Sequence, residues 1–158
     1  LPEEKIDKMQ TQLRILSGLY GMLRPLDHIQ PYRLEMGTKI SIGSNNDLYS
    51  FWKKKVTEQL KDELKKDELV VNLASREYFS VIDSDLISNT IVSPEFKDFK
   101  DGKLKIISFF AKKARGMMAR YLIEQNTSSL EDIRSFSKDG YYYSDEETKN
   151  IMYPVFIR

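Results

Sequence analysis

The 158-residue sequence contains no cysteine and a single histidine, His28. Without cysteine, the chain offers no thiol nucleophile, disulfide, thiolate-bound cluster or thiol redox sensor. One histidine and no cysteine also fall short of the ligands that zinc sites use, so we expect no bound metal and no cofactor. A Ser-His-Asp group would have only His28 as its base, and no other feature of the sequence indicates one.

Long apolar runs and an excess of charge of one sign are absent too. No run approaches the roughly 20 residues that cross a bilayer, so we expect no transmembrane segment. Lys and Arg number 25 and Asp and Glu 24, giving a net charge of +1, so the global charge indicates neither a nucleic-acid nor a membrane partner. The sequence starts Leu1-Pro2 without methionine, and we expect a missing N-terminal section.

Along residues 1–158, segments in which hydrophobic residues have helical spacing alternate irregularly with segments that have strand spacing. This order predicts a single α+β domain with a mixed β-sheet packed against helices. The first predicted helix starts at Pro2, and three others are residues 48–66, after Asp47, 78–82 and 111–125. A further small helix follows, with Ser128 and Glu131 as its capping box. The predicted strands are residues 69–73, 90–96, 104–110, 141–143 and 153–157.

Two segments carry turn signals. Asp101-Gly102 separates two strand patterns and predicts a tight hairpin turn. Residues 17–25 are apolar and spaced by Gly18 and Gly21, which predicts a turn or a short helical hairpin. Residues 26–46 lack periodicity and should form a long ordered loop.

A cationic helix face is the most informative feature. No acid occurs between Gly102 and Ile123, and four basic residues of the predicted helix fall within one half of its circumference. They are Lys112, Lys113, Arg115 and Arg120, with Gly116 among them. Glycine costs a helix about 1 kcal/mol against alanine but allows close approach of a phosphate. The face predicts either an anion site or an ordinary solvated surface.

The loop after residue 23 is rich in hydrogen-bonding side chains. They are Arg24, Asp27, Gln30, Tyr32, Arg33 and Glu35. Arg24 and Arg33 could bind an anion, or they could brace the loop by pairing with Asp27 and Glu35.

Several longer runs carry a resemblance to a known family. They are Leu13–Asp27, Gln30–Gly37, Leu48–Trp52, Asn72–Phe79 and Lys105–Arg120. In this order they resemble the YaaA family of bacterial peroxide stress proteins over nearly the whole chain. The family's N-terminal section, which opens with a strand and a Ser-Pro-Ala-Lys-type segment, has no counterpart here.

The resemblance implies a cytosolic protein that limits peroxide damage connected with intracellular iron. It also implies an unusual α+β fold with a positively charged cleft and a helix–hairpin–helix-like element associated with DNA binding. Residues Ser17, Gly18, Tyr20 and Gly21 are the candidates for that hairpin, because two glycines could expose backbone N–H groups to phosphate. We expect a monomer that binds double-stranded DNA without strong sequence preference.

A second class of function stays open at this point. An enzyme acting on a small anionic substrate could use Arg24, Arg33, Lys112 and Arg115 as an anion clamp, with Asp27, Glu35 or Glu77 as acid or base. A scaffold for a protein partner is a third possibility.

Overall fold

The computed structural model describes residues 1–125 and 129–158, which form two compact units. The first, here called the hairpin unit, comprises Ile6–Asp67 and Ala74–Asn89. The second, the sheet unit, comprises Leu1–Lys5, Glu68–Leu73 and Thr90–Arg158. Helices occur in both units and the sheet unit contains a mixed sheet, so the predicted α+β class is confirmed.

The hairpin unit is built from three α-helices, one 3-10 helix (Ser84–Leu86) and two short strands. The α-helices and strands are α1 (Ile6–Gln12), β1 (Ile15–Ser17), β2 (Gly21–Leu23), α2 (Leu48–Glu63) and α3 (Arg76–Phe79). Asp47 caps α2 as predicted: its carboxylate accepts the Ser50 N–H while the Ser50 hydroxyl accepts the Asp47 N–H. Ser75 caps α3 by a single hydrogen bond, in which its hydroxyl accepts the Tyr78 N–H.

Residues 15–23 form an antiparallel β-hairpin, which corrects the alternative of a helical hairpin and ends the first helix at Gln12. Gly21 has φ +76, a left-handed conformation that glycine adopts without strain. The Ser17 hydroxyl accepts the N–H groups of Leu19 and Tyr20, which completes the turn. Leu13, Leu16 and Tyr20 therefore have helical spacing in the sequence without forming a helix.

The described residues of the sheet unit form two α-helices, one 3-10 helix (Glu3–Lys5) and six strands. The α-helices and strands are β3 (Val70–Val71), β4 (Ile91–Val92), β5 (Glu95–Lys100), β6 (Lys103–Lys105), α4 (Ser108–Glu124), α5 (Leu130–Arg134), β7 (Tyr142–Tyr143) and β8 (Val155–Ile157). β3 and β4 pair in parallel. The other four form a mixed sheet in the order β6-β5-β8-β7, in which only β5 and β8 run parallel.

The predicted Asp101-Gly102 turn is confirmed. Both residues have positive φ, +53 and +73, as a two-residue hairpin turn requires, and Lys100 pairs with Lys103 on either side. The following strand is shorter than predicted, because β6 ends at Lys105 and α4 already begins at Ser108.

The core of the sheet unit is aromatic. Phe96 of β5 contacts the rings of Phe136, Tyr141 and Phe156, at centroid distances of 5.3–5.9 Å. One face of α4 is buried in this core, as the helical wheel predicts; Ala111, Ala114 and Met118 are its buried residues nearest the predicted site.

The capping box of α5 is displaced from its predicted position. Ser129 and Asp132 form it, one residue beyond the predicted pair of Ser128 and Glu131. Ser128 itself lies outside the described residues.

Candidate functional site

Three of the predicted cationic residues, Lys112, Lys113 and Arg120, lie on the solvent side of α4, and Arg115 lies at the edge of its buried face. Lys112, Lys113, Gly116 and Arg120 are exposed and Arg115 is half-buried. The helix thus brings all five predicted residues of this segment onto one surface, the α4 face. A Cβ added to Gly116 would meet no atom within 4 Å, so the glycine leaves open space in the middle of that surface.

Two of the four cations have carboxylate partners. Lys113 Nζ lies 3.0 Å from Asp139 Oδ2, and Arg120 Nε lies 2.7 Å from Glu124 Oε1. Acidic side chains from outside the acid-free stretch therefore lie next to two of its cations in the folded protein. Glu124 follows the acid-free stretch by one residue, and Asp139 arrives from a later segment.

The other two cations, Lys112 and Arg115, have no such partner in the part of the chain that the structure describes. Lys112 has no ion pair within residues 1–125 and 129–158. Arg115 Nε donates to the Ala111 carbonyl over 3.3 Å, and burial lowers the pKa of its guanidinium from the usual value. A desolvated guanidinium without a carboxylate favours an added anion, because burial costs a lone charge more than a paired one.

A charged network adjoins the α4 face through Asp139. Arg158 Nη1 lies 2.9 Å from Asp139 Oδ2, and its Nε and Nη2 lie 2.8 and 2.7 Å from Asp98 Oδ1. Hydrogen bonding from Lys113, together with the charges of Lys113 and Arg158, lowers the pKa of Asp139. Lys113 thus belongs to a chain of matched charges, whereas Lys112 does not.

The sequence could not have revealed this network by motif. Asp98 and Arg158 are 60 residues apart, and Lys113 and Asp139 are 26 apart. One sequence signal for this network exists: Asp98 shares a face of β5 with the core residue Phe96. The structure shows Asp98 only 5% exposed, and a buried carboxylate requires a partner.

The predicted residues of the polar loop lie in the hairpin unit. Arg24 pairs with Glu63, with Nη2 and Oε2 3.4 Å apart, and not with Asp27 or Glu35 as the bracing alternative supposed. Glu63 also pairs with Arg14. Arg33 is exposed and has no ion pair among the residues that the structure describes.

Hydrogen bonds to backbone groups brace this loop. Asp27 accepts the Arg24 N–H over 2.8 Å, and the Tyr20 hydroxyl accepts the Gln30 N–H over 3.1 Å. Glu77 accepts the Gly37 N–H over 2.9 Å. Two of the three carboxylates that an enzyme could have used as acid or base are therefore engaged in holding the loop.

The four predicted hairpin residues lie in the closely packed turn between β1 and β2. Ser17 and Gly18 are buried, and the Ser17 hydroxyl bonds to that of Tyr32. The Gly18 carbonyl accepts the indole N–H of Trp52 over 2.9 Å. Since the Leu19 and Tyr20 N–H groups already bond to Ser17, this turn has two fewer free donors for a phosphate than expected.

A cavity of about 330 Å³ opens in the hairpin unit between α2 and residues 83–86. Three lysines line it, but Lys53 pairs with Asp83 and Lys54 with Glu58, which leaves only Lys61 without a carboxylate in the described chain. None of the predicted site residues lines this cavity.

Two further properties concern metals and membranes. Within the described ranges, no group of three or more His, Asp or Glu side chains is arranged to hold a metal ion. The absence of a bound metal stays a prediction. The described helices are also too short or too polar to cross a bilayer.

Comparison with known proteins decides the family. Residues 1–147 match the sequence profile of the family described as "Peroxide stress protein YaaA". The chain belongs to this family.

Curated relatives agree with the assignment. The chain is 56% identical over 149 residues to the "UPF0246 protein" of Flavobacterium johnsoniae, covering 94% of this chain and 59% of that protein. It is 51% identical over 160 residues to the "UPF0246 protein" of Shewanella woodyi, covering 100% of this chain and 62% of that protein. The chain therefore spans about three fifths of the length of the curated relatives it matches.

Proposed function

We propose that this YaaA-family chain contributes to peroxide resistance in the cytosol by binding double-stranded DNA without sequence preference, limiting damage linked to intracellular iron. The α4 face provides the contacts. The family assignment supports the stress role, and the geometry of α4 supports the ligand class.

The observation that carries the proposal is the pairing pattern of the α4 cations. Among the described residues, Lys112 and Arg115 have no carboxylate partner, and α4 contains no acid before Glu124. Phosphates are the anions that duplex DNA presents at regular intervals, and lysine and arginine are the side chains that neutralise them.

The ion pairs of Lys113 and Arg120 are compatible with this role. The cations of both pairs are exposed, and an ion pair at an exposed cation contributes roughly 0–1 kcal/mol. A phosphate can therefore replace either carboxylate at little cost, and Lys112 and Arg115 need no exchange.

Gly116 gives the surface its shape. The space above it would admit a sugar-phosphate backbone closer to the helix than any side chain would. Contacts of this kind position a duplex without reading bases, so sequence preference should be weak.

Arg24 and Arg33 are a separate candidate anion site, within the hairpin unit. Arg33 is the stronger candidate of the two, because its guanidinium is exposed and unpaired among the described residues, whereas Arg24 is paired with Glu63.

The alternative of an enzyme with a small anionic substrate has less support. Asp27 and Glu77 hold backbone N–H groups of the loop, which leaves Glu35 as the remaining candidate for proton transfer. One exposed carboxylate is not a catalytic arrangement.

The test is DNA affinity as a function of salt. A variant with Lys112, Lys113 and Arg115 replaced by glutamine should bind duplex DNA more weakly. Its negative slope of log affinity against log salt should become shallower by about 2–3, since each lost phosphate contact removes about 0.9 from the magnitude of the slope. The readout is fluorescence anisotropy with a labelled duplex.

A matched control keeps net charge equal. Lys54, Lys61 and Lys66, replaced together by glutamine, change the charge by the same amount in the hairpin unit. This control should bind like the parent chain. Equal affinity and equal salt slope in both triple variants would disprove the role of the α4 face.

A further inference from the structure

An open strand edge lies at β3, within the sheet unit. The Val70 N–H donates to the Thr90 carbonyl over 2.9 Å, toward β4, and the Asn72 N–H also donates to β4, over 2.7 Å. In a parallel pair, residues that bond to the partner strand alternate with residues whose backbone groups face away. The N–H and C=O of Val71 therefore point to the opposite edge, where no strand of the described residues pairs with β3.

β3 is the outer strand of a layer that continues through β4. On the side of β4 away from β3, the Ser93 N–H donates to the Met152 carbonyl over 2.8 Å. This segment is thus paired on both sides, whereas β3 is paired on one. Parallel strands with continuous apolar sequence are normally interior strands of a sheet. A parallel strand at an open edge therefore indicates that the layer accepts a further neighbour.

The open edge of β3 carries none of the features by which proteins protect free edges. Such edges usually carry lysine or proline, or are interrupted by a bulge. β6, an edge strand of the four-stranded sheet, is protected in this way, because it reads Lys103-Leu104-Lys105. Residues 69–73 read Leu-Val-Val-Asn-Leu, without charge or proline, and all five are half-buried. This contrast indicates that the β6 edge faces solvent and the β3 edge pairs.

The side chains along β3 continue the core of the sheet unit. Leu69, Val71 and Leu73 pack against its aromatic cluster, yet each stays partly exposed. A strand added beside β3 would bond to the Val71 backbone and cover the rest of these side chains, the binding mode known as β-augmentation. The occupant that fits this edge is an extended, apolar segment with unpaired backbone groups.

The curated relatives contain a source for such a segment. The chain covers 59% of the Flavobacterium johnsoniae relative and 62% of the Shewanella woodyi relative, so about two fifths of each lies outside the matched region. We propose that the outer edge of β3 binds one further strand, supplied by the section that these relatives have outside the matched region. This inference is independent of DNA binding, because none of the α4 face residues lies in β3.

Co-expression tests the proposal with the 158-residue chain. The unmatched section of the Flavobacterium johnsoniae relative, produced in the same cells, should co-purify with the tagged chain. Hydrogen exchange of the Val71 amide should slow by roughly a hundredfold in the complex, because this N–H gains a strand partner. The Val70 amide already bonds to β4 and should change less.

Two proline variants locate the contact. Val71→Pro removes an outward N–H, a position at which a strand tolerates proline, so the chain should fold but lose the co-purified section. Leu104→Pro is the matched control, since the Leu104 N–H points away from β5 in a hairpin closed by Lys100 and Lys103. It should keep the section. Thermal melting checks that both variants fold, and the Val71 exchange of the parent chain decides if Val71→Pro does not.

Each remaining outcome decides the proposal. If the section does not co-purify, hydrogen exchange in the intact Flavobacterium johnsoniae relative is measured at the position aligned with Val71. Slow exchange there supports the proposal and fast exchange overturns it. Co-purification that Val71→Pro leaves unchanged overturns it too, because the section then binds elsewhere. Dimerisation of the chain alone that is lost in Val71→Pro would identify a second copy as the occupant and overturn the proposed one.

Discussion

Arg158 Nε donates a hydrogen bond to Asp98 Oδ1 over 2.8 Å, and the Asp98 side chain is only 7% exposed. The Tyr141 hydroxyl donates to the other oxygen, Oδ2, over 2.7 Å. Burial, followed by the hydrogen bond to Asp98, raises the pKa of Tyr141, so the phenol stays neutral and keeps donating. The Arg158 guanidinium also lies over the rings of Phe110 and Tyr141.

This arrangement predicts that Arg158→Met destabilises the protein by roughly 3 kcal/mol, because the buried Asp98 would lose its countercharge. Arg158→Lys should destabilise the protein less than Arg158→Met, since lysine keeps the charge but loses the paired contacts. Urea unfolding measures both. Lys138→Met is the control, because exposed Lys138 has no ion pair in the described ranges, and a loss below about 1 kcal/mol in Arg158→Met would contradict the prediction.

Glu63 predicts a pH dependence. Burial opposes ionisation of its carboxyl, but hydrogen bonds from Gln59 and Arg14 and the charges of Arg14 and Arg24 prevail and lower its pKa below 4.5. A folded-state pKa below the unfolded value contributes stability above the unfolded pKa. That contribution is lost as the pH falls through the folded-state pKa.

Glu63→Gln should therefore lower stability near neutral pH and reduce its further decline below about pH 4.5. Urea unfolding at about pH 7 and about pH 3 measures the difference. Glu58→Gln is the comparison and should change little, because Glu58 is exposed and its one ion pair among the described residues is with Lys54. An unaltered acid limb in Glu63→Gln would refute the prediction.

Gly116→Ala should stabilise α4 by about 1 kcal/mol, because alanine is the better helix former and no neighbour lies within 4 Å to be crowded. If the open space admits a phosphate, the same variant should bind duplex DNA more weakly. Thermal melting and DNA titration measure the two effects. A more stable protein with unimpaired binding would mean that the α4 face is only solvated, and the site would then move to the Arg24 and Arg33 loop.

Gly18→Ala should have the opposite effect on stability. An added Cβ would lie 2.4 Å from the Leu34 carbonyl oxygen, a backbone atom that cannot swing aside. Overpacking of this kind costs typically 1–3 kcal/mol. Comparison of its melting temperature with that of Gly116→Ala tests the assignment, since both add one methyl group. Stabilisation in Gly18→Ala would show that the loop does not pack closely against Gly18.

The predictable part of the fold is the part set by local sequence. Asp47 caps the N-terminus of α2 through hydrogen bonds with Ser50, three residues later, and Asp101-Gly102 forms a tight turn with two positive φ values. Both features depend on residues that are neighbours in the sequence. The helical spacing from Ile6 misled beyond Gln12 because Gly18 and Gly21 break the periodic pattern with a packed turn. Phe109 and Phe110 have strand propensity, yet they open α4.

The candidate site was predictable on one helix and no further. Helical geometry alone collects Lys112, Arg115 and Gly116 onto one face. The pairing of Lys113 with Asp139 depends on where a distant segment returns in space, which no local pattern contains.

The parallel pairing of β5 with β8 bears on how the sheet unit folds. β5 and β6 join across two residues and can meet early, at a small cost in chain entropy. β8 must return over more than fifty residues to reach its place, as the separation of Asp98 and Arg158 shows. Non-local pairings of this type slow folding. We expect the β5–β6 hairpin to form first, so that β8 docks late against the free edge of β5, whose other edge already pairs with β6.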